Sequence, residues 1–558
     1  MTVNALIPTM TTRLAKWIVL LLVHGVLSTA AFAQAKTGLA SDDLVLSAMR
    51  AELDRSKAQL KMENVPAPYY VEYRVFEVDQ YSAEASFGAL RVDLRARFRF
   101  VRVVVRVGDY KQDSYAGQGQ GTVDIMPLDN DMLALRHQLW LATDRAYKSA
   151  AEALTAKQAQ LKQLTVDQPV DDFALAEPVQ SIGPLVALEF DPEPWKRMLQ
   201  DASALYKGDP EIESFGSGLN FRAVNRYFVN SEGTVVRSGQ TFYEMTVAAS
   251  SQAADGMNLA RDSAFTVESM KELPSAAEFT ARAAKLAASL KELRAAPVTD
   301  EEYRGPVLFS GDAAATVFAD FVGENILGRK PELGKNSRTT GAFAASYKSR
   351  VLPEFLSVVA DPTISSAHGQ SLLGHYAIDD EGVPAQRVSL IEKGMLVNYL
   401  IGREPIRDFP ASNGHARAQI PTGNPGPHNS NLMITSSPAT SKEDLKKKLI
   451  DLCQQRDLPY CFYVETFGPK LAPRLLYKVW TKDGHEELVR GAAFGDLDIR
   501  ALRSNLIAAG DEAYVDNRTM NIPHSIVAPS ILFDELEVKR ANVNKEKLPE
   551  YPAPAIGK

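Results

Sequence analysis

From Leu90 to Val107 the chain alternates with little interruption. Leu90, Val92, Leu94, Ala96, Phe98 and Phe100 fall on one side, and Arg91, Arg95, Arg97 and Arg99 on the other. Successive side chains of an extended strand point to opposite faces, so this spacing requires a strand with one apolar face; a helix would scatter both sets. Such alternation belongs to an antiparallel sheet wetted on one side. Tyr69–Val78 repeats it, with Tyr69, Val71, Tyr73 and Val75 opposed to Glu72 and Arg74. Phe221–Asn230 and Thr234–Ser250 flank Ser231-Glu232-Gly233 and predict a hairpin.

Helical patterns are interspersed. Ser41–Met62 is predicted as a helix with Ser41 as N-cap, and Asp131–Leu164 as a long one rich in Ala, Leu, Lys and Gln. Ser275–Ala295 opens with the Ser275/Glu278 capping box and stops before Pro297. Later strands are predicted at Pro306–Phe309, Phe355–Val359, Gln386–Ile391, Met395–Ile401, Cys461–Glu465, Arg474–Thr481, Glu487–Arg490 and Ser530–Val538. Helices are predicted at Ser441–Gln455 and Asp498–Ala508. The class is α+β: an N-terminal α+β domain with an antiparallel sheet, then a large β-rich C-terminal domain. The expected divisions are a signal peptide at 1–33, the N-terminal domain with a central region at 34–300, the C-terminal domain at 301–540 and a disordered, proline-bearing tail at 541–558.

The first residues read as an export signal. Arg13 and Lys16 precede the apolar run Trp17–Leu27, and Ala31-Phe32-Ala33 is a small-x-small cleavage site, so the mature chain is expected to begin at Gln34. That run is short for a membrane span, and no later segment is apolar enough to be one. The expected location is outside the cytoplasm, in a periplasm. Cys453 and Cys461 are the only cysteines. They sit at a helix end and a strand start, where pairing and two buried thiols are both open. The arginine row has two readings, an anion-binding face and a salt-bridged one. No aromatic platform is interleaved on that side, which favours the second. A net charge of −7 argues against nucleic acid as a partner.

One stretch carries candidate chemistry. Gly305–Arg329 reads as strand, turn at Ser310-Gly311-Asp312, and apolar helix. Asp320 and Glu324 lie one α-helical turn apart on it. Carboxylates on an apolar helix either face water or an arginine, or form the floor of a catalytic or metal site. Common motifs fail. His485-Glu486 begins like HExxH, but Val489 stands where the second histidine belongs, and no GxSxG or P-loop is present. Gly117-Gln118-Gly119-Gln120-Gly121 follows a polar turn and reads as a loop. His368, His375, His415 and His428 fall in loop-like stretches, where a histidine is more often a surface residue than a ligand.

Gly374–Leu400, GHYAIDDEGVPAQRVSLIEKGMLVNYL, closely resembles the signature of the TldD/PmbA family. The likeness continues in Ser412–Arg417, Asn429–Leu432, Val489–Ala492 and Leu502–Glu512, spanning roughly 303–540. The resemblance implies an N-terminal α+β domain, a β-rich C-terminal domain, and two-fold dimers around a chamber. It implies zinc peptidases acting on peptides or unfolded chains. The family's HExxxH helix falls on Ala319-Asp320-Phe321-Val322-Gly323-Glu324, so Ala319 replaces one ligand histidine, Asp320 the general base and Glu324 the second ligand. The family's cysteine ligand near the C-terminus has no counterpart in Tyr514–Pro529.

Two functions follow from the resemblance. One is an exported peptidase homologue holding zinc through Asp320, Glu324 and one of His368, His375 or His415, with Asp320 activating water. The other is a non-catalytic member that binds peptide, or pairs as a homodimer or with a family homologue.

Overall fold

The computed structural model describes residues 43–115, 121–164, 169–299, 302–420, 423–519 and 522–542, all of them within one structural unit, 40–558. The signal peptide, Ser41, Gly117–Gln120 and most of the 541–558 tail lie outside the described residues.

The alternating segments form the expected antiparallel sheet. β1 (Pro68–Ser86) and β2 (Ala89–Val107) form a long hairpin whose turn places Phe87 and Gly88 at positive φ. β3 (Thr122–Ile125) pairs with β2. β5 (Ser214–Asn230) pairs antiparallel with β1 and continues through the predicted turn into β6 (Val235–Gln252). β4 (Gln180–Ile182) runs parallel to the start of β6, and β7 (Asn258–Val267) antiparallel to its remainder. Asp43, not Ser41, caps α1 (Leu44–Gln59), its carboxylate accepting from Leu46 N–H.

One face of this sheet is covered by helices. Val71, Tyr73, Val75, Val101, Val103 and Val105 lie under α1 and α2 (Met132–Leu161). Ala83, Phe215, Phe221, Met245 and Val247 lie under α3 (Pro192–Ala204) and α4 (Ala276–Ala295), whose Ser275/Glu278 box forms as expected. The arginine row resolves into cross-strand ion pairs, Arg95 with Asp79 and Arg97 and Arg99 with Glu77. The apolar side of β2 is less covered than its alternation implies. β3 pairs only with Phe100–Val103, and Leu90 and Leu94 are exposed.

The second sheet follows the order β13-β12-β9-β16-β22-β8-β17-β18-β19, with β20 and β21 also on β22. Its strands are β8 (Tyr303–Phe309), β9 (Leu356–Ala360), β12 (Val388–Glu392), β13 (Met395–Leu396), β16 (Asn431–Ser436), β17 (Tyr460–Phe467), β18 (Pro473–Trp480), β19 (Glu486–Val489), β20 (Ala492–Phe494), β21 (Leu506–Arg518) and β22 (His524–Arg540). Short ribbons β10/β11 (Ser366–Ala367, Gln370–Ser371) and β14/β15 (Ala416–Arg417, Gly426–Pro427) stand apart. The sheet is mixed, with β16 parallel to β22 and β17 parallel to β8.

Two predicted elements are shorter than their patterns. The strand at Met395–Ile401 ends at Leu396, after which the backbone serves a neighbouring segment, Leu400 N–H donating to Ile326 O. The helix at Asp498–Ala508 is α7 (Ile499–Ser504), and the chain then enters β21. α6 (Lys442–Gln455) packs on Leu308, Val479 and Leu532, and there Cys453 and Cys461 form a buried disulfide.

Between the sheets the even-numbered face of β1 meets loops of the C-terminal region. Phe76, Val78, Val224 and Phe242 form a small apolar patch against Ile420. Beside it lie buried charges. Arg403, fully buried, is bound bidentately to Glu232 at 2.6 and 2.8 Å.

Candidate functional site

β8 delivers the chain to α5 (Gly311–Phe318). Ser310 caps it by accepting from Ala313 N–H, and small residues at 311 and 313–315 let it sit against β22 and β21. A Cβ on Gly311 would meet the Tyr514 Cβ at 2.5 Å, so glycine sets this approach. The helix then widens into a π turn, Ala319–Gly323. Such bulges re-aim side chains and recur at functional sites. Asp320 and Glu324 therefore do not share a regular α-helical face, and both are exposed. Burial of its surroundings raises the Asp320 carboxyl, opposed by Arg518 and reinforced by Glu324. Glu324 faces Arg329 at 3.4 Å.

Asp312, in the first turn of α5, is the more perturbed acid. Burial, with Asp516 and Glu465 nearby, raises its carboxyl to about 6.

The histidines named from sequence are not gathered around this turn. His368 occupies the β10–β11 turn at positive φ. His375 Nε2 contacts Glu268 at 2.7 Å. His415 is fully buried with both nitrogens engaged, Nδ1 by Asn413 O at 3.0 Å and Nε2 by Ser430 Oγ at 3.2 Å. Among the described residues no group of three His, Cys, Asp or Glu side chains is placed to hold a metal. The donor set Asp320, Glu324 and His368, His375 or His415 does not fit a zinc site, because His375 and His415 are engaged by other groups and none of the three joins the two carboxylates in a three-donor group among the described residues.

The structure brings together a different pair. A Cβ on Gly323 would lie 2.8 Å from Asn429 Nδ2, so the π turn abuts the segment that carries His428. His428 and His524 are neighbours, with ring centroids 5.2 Å apart. Burial holds both imidazoles down to about 4. They are 96 positions apart in sequence, and the parallel register Asn431↔Ser525 between β16 and β22 unites them. β16 was not predicted, and no local motif marks either residue.

The DDEG stretch acts as scaffold. Asp379 accepts N–H bonds from Glu381, Val383 and Ala416, and burial, reinforced by Glu381, raises its carboxyl to about 8. Burial alone would raise Asp380, but Arg417, Arg226 and Arg74 outweigh it and hold the carboxyl below its usual range. Glu381 accepts from Arg403 N–H. These acids fix loops against the N-terminal sheet. A separate groove of about 590 Å³ has a basic rim that includes Lys111, Lys330, Lys335, Arg338 and Arg407.

Residues 302–540 match the PmbA/TldA metallopeptidase C-terminal domain. This region of the chain belongs to the TldD/PmbA family. Metalloprotease MJ0996 of Methanocaldococcus jannaschii is 26% identical over 256 residues, 45% of this chain and 52% of that protein. The chain thus spans about half the length of that curated relative. Among solved structures, TldE from Thermococcus kodakarensis aligns with a TM-score of 0.57 at 14% identity, covering 88% of this chain and all of that one. A Thermotoga maritima protein described as a candidate modulator of a DNA gyrase aligns with the same score at 16% identity, covering 88% and 99%. These structural likenesses establish the α+β fold of TldE-type proteins. No helix among the described residues is long and apolar enough to cross a membrane.

Proposed function

We propose that the protein is an exported member of the TldD/PmbA family that binds peptides or unfolded chains without zinc hydrolysis at the 319–324 turn. The observation that carries this reading is the dispersal of the donors: Ala319 contributes none, Glu324 faces Arg329, His375 is engaged by Glu268 and His415 by Asn413 and Ser430, and among the described residues His368 joins no group of three possible donors. A catalytic zinc is held by three protein donors and keeps one position for water. Here the turn offers two exposed carboxylates.

The substrate class comes from the family. The groove between α2 and the 330–338 loop supports it, being large enough for several residues of an extended chain; Lys330 is paired there with Asp172 and Arg338 with Asp408, so Lys111, Lys335 and Arg407 are the cations offered to acidic side chains or a terminal carboxylate. Export rests on the N-terminal pattern Arg13, Lys16, Trp17–Leu27 and Ala31–Ala33. A dimer, with itself or with a family homologue, belongs to the same reading.

The test is fluorescence anisotropy with labelled, unstructured acidic peptides, followed by mass spectrometry of the same samples. The reading expects saturable binding, intact peptide after prolonged incubation, and no change in Asp320→Ala. Cleavage that is abolished by a chelator and by Asp320→Ala would overturn it in favour of a peptidase.

A further inference from the structure

We infer that His428 and His524 form a two-histidine site for a borderline divalent cation of the Zn²⁺ or Cu²⁺ type, outside the helix that carries the family's motif. Four observations converge. His428 Nδ1 lies 3.1 Å from Asn429 O and His524 Nδ1 lies 2.8 Å from Ile522 O. A carbonyl accepts, so each Nδ1 carries the hydrogen and each Nε2 presents a lone pair. That is the tautomer and anchoring pattern of metal-bound imidazoles, whose second nitrogen is fixed by a backbone carbonyl or a carboxylate. Neither Nε2 has a hydrogen-bond partner among the described residues, whereas both nitrogens of His415, next to this pair, are engaged.

The spacing also suits one shared ion. With Zn–N distances of about 2.1 Å and a near-tetrahedral angle, two imidazoles on one metal have ring centroids about 5 Å apart. The observed separation is 5.2 Å, and the 69° between the planes is unconstrained by such coordination. The rings are held from beneath. Ser525 N–H donates to Ser430 O, His428 N–H donates to His415 O, and β16, which follows His428, is in parallel register with β22, which His524 opens. Both rings are only partly exposed. The pair is therefore set before any ion arrives, which limits the ordering entropy lost on binding.

Among the described residues no third His, Cys, Asp or Glu closes the set, so water molecules or oxygens of a bound peptide would complete the coordination around the two imidazoles. Arg417 and Arg329 act on His428 and Arg518 on His524, which weakens attraction for a cation, while Asp516, paired with Arg518 at 2.7 Å, and Glu324, 3.4 Å from Arg329, offset two of the three. The inference stands whether or not peptide is cut, so its failure and that of the functional reading are separable.

The experiment uses untagged, chelator-stripped full-length protein titrated with Co²⁺ and Zn²⁺, read by visible absorption and calorimetry. One equivalent is expected. His428→Ala and His524→Ala should each weaken binding at least tenfold, whereas Asp320→Ala and the exposed His485→Ala should not. Near-UV circular dichroism checks that the variants are folded. Cu²⁺ electron paramagnetic resonance on the unmodified protein needs no variant, and coupling to two imidazole nitrogens is expected. Absence of saturable binding, retention of binding in the folded double variant, or a Cu²⁺ spectrum without nitrogen coupling overturns the inference.

Discussion

Arg403→Met tests how the two sheets are joined. Arg403 lies in a C-terminal loop, yet its guanidinium donates to Glu232 in the β5–β6 turn and twice to Ala174 O, at 2.9 and 2.7 Å. It also stacks 4.0 Å from the Phe173 ring. Breaking a buried ion pair from one side costs about 3–5 kcal/mol, because the remaining charge is left without its partner. Glu232 keeps donors in Tyr110 at 2.8 Å and Asn230 at 3.2 Å, and Met restores part of the stacking on Phe173. The expectation is therefore the lower end, about 3 kcal/mol.

Urea unfolding followed by tryptophan fluorescence reads the change as a shift in midpoint at constant slope. The double variant Arg403→Met/Glu232→Gln should regain about 1–2 kcal/mol of the loss, since it removes the stranded charge. A loss below about 1 kcal/mol, or a double variant no better than the single one, would refute the assignment of Arg403 as the buried tie between the two halves.

Asp312 gives a pH prediction. Its carboxyl is raised to about 6 in the folded chain, above the unfolded value of about 3.9. The folded state therefore holds that proton more tightly, and the associated stabilisation is present below pH ~4 and lost as pH rises through ~6. Asp312→Asn should raise stability at pH 8 by up to about 3 kcal/mol and leave it unchanged at pH 4, as measured by denaturant midpoints. Equal effects at both pH values would contradict the cause given. The Cys453–Cys461 disulfide closes a loop with a sequence separation of 8. Chain-entropy arithmetic gives about 2.5 kcal/mol for such a loop. Non-reducing peptide mapping should recover the linked peptide, and the double serine variant should unfold correspondingly earlier in urea.

The sheet strands were readable from sequence where one face is apolar and the other charged. β1 and β2 are read from that alternation and β5 and β6 from the turn Ser231-Glu232-Gly233 between them, and the β1/β2 register sets the arginine row beside Asp79 and Glu77. Patterns failed where the backbone serves a tertiary partner. The segment after Leu396 looks like a strand because its apolar residues are buried from several sides, yet its N–H groups bond to the 326–328 segment. The apolar helix expected beyond the Ser310-Gly311-Asp312 turn is present but starts at Gly311, within that turn, and is α-helical only to Phe318; the π turn that follows lies against Asn429, which no local spacing reports.

The histidines show the same limit more sharply. His415 was singled out from a family-like stretch, and the fold uses it as a buried hydrogen-bonding group. His428 reads in sequence as one of several loop histidines. His524 opens β22, in a segment without motif. A parallel pairing between β16 and β22 makes them neighbours, and parallel register is set by long-range packing rather than by local pattern.

Anomalous scattering at the zinc absorption edge, from crystals grown with equimolar Zn²⁺, tests the central claim most directly. The account predicts a peak between His428 Nε2 and His524 Nε2, with none within bonding distance of Asp320 or Glu324. A peak held by those two carboxylates, with the histidine pair empty, would contradict it.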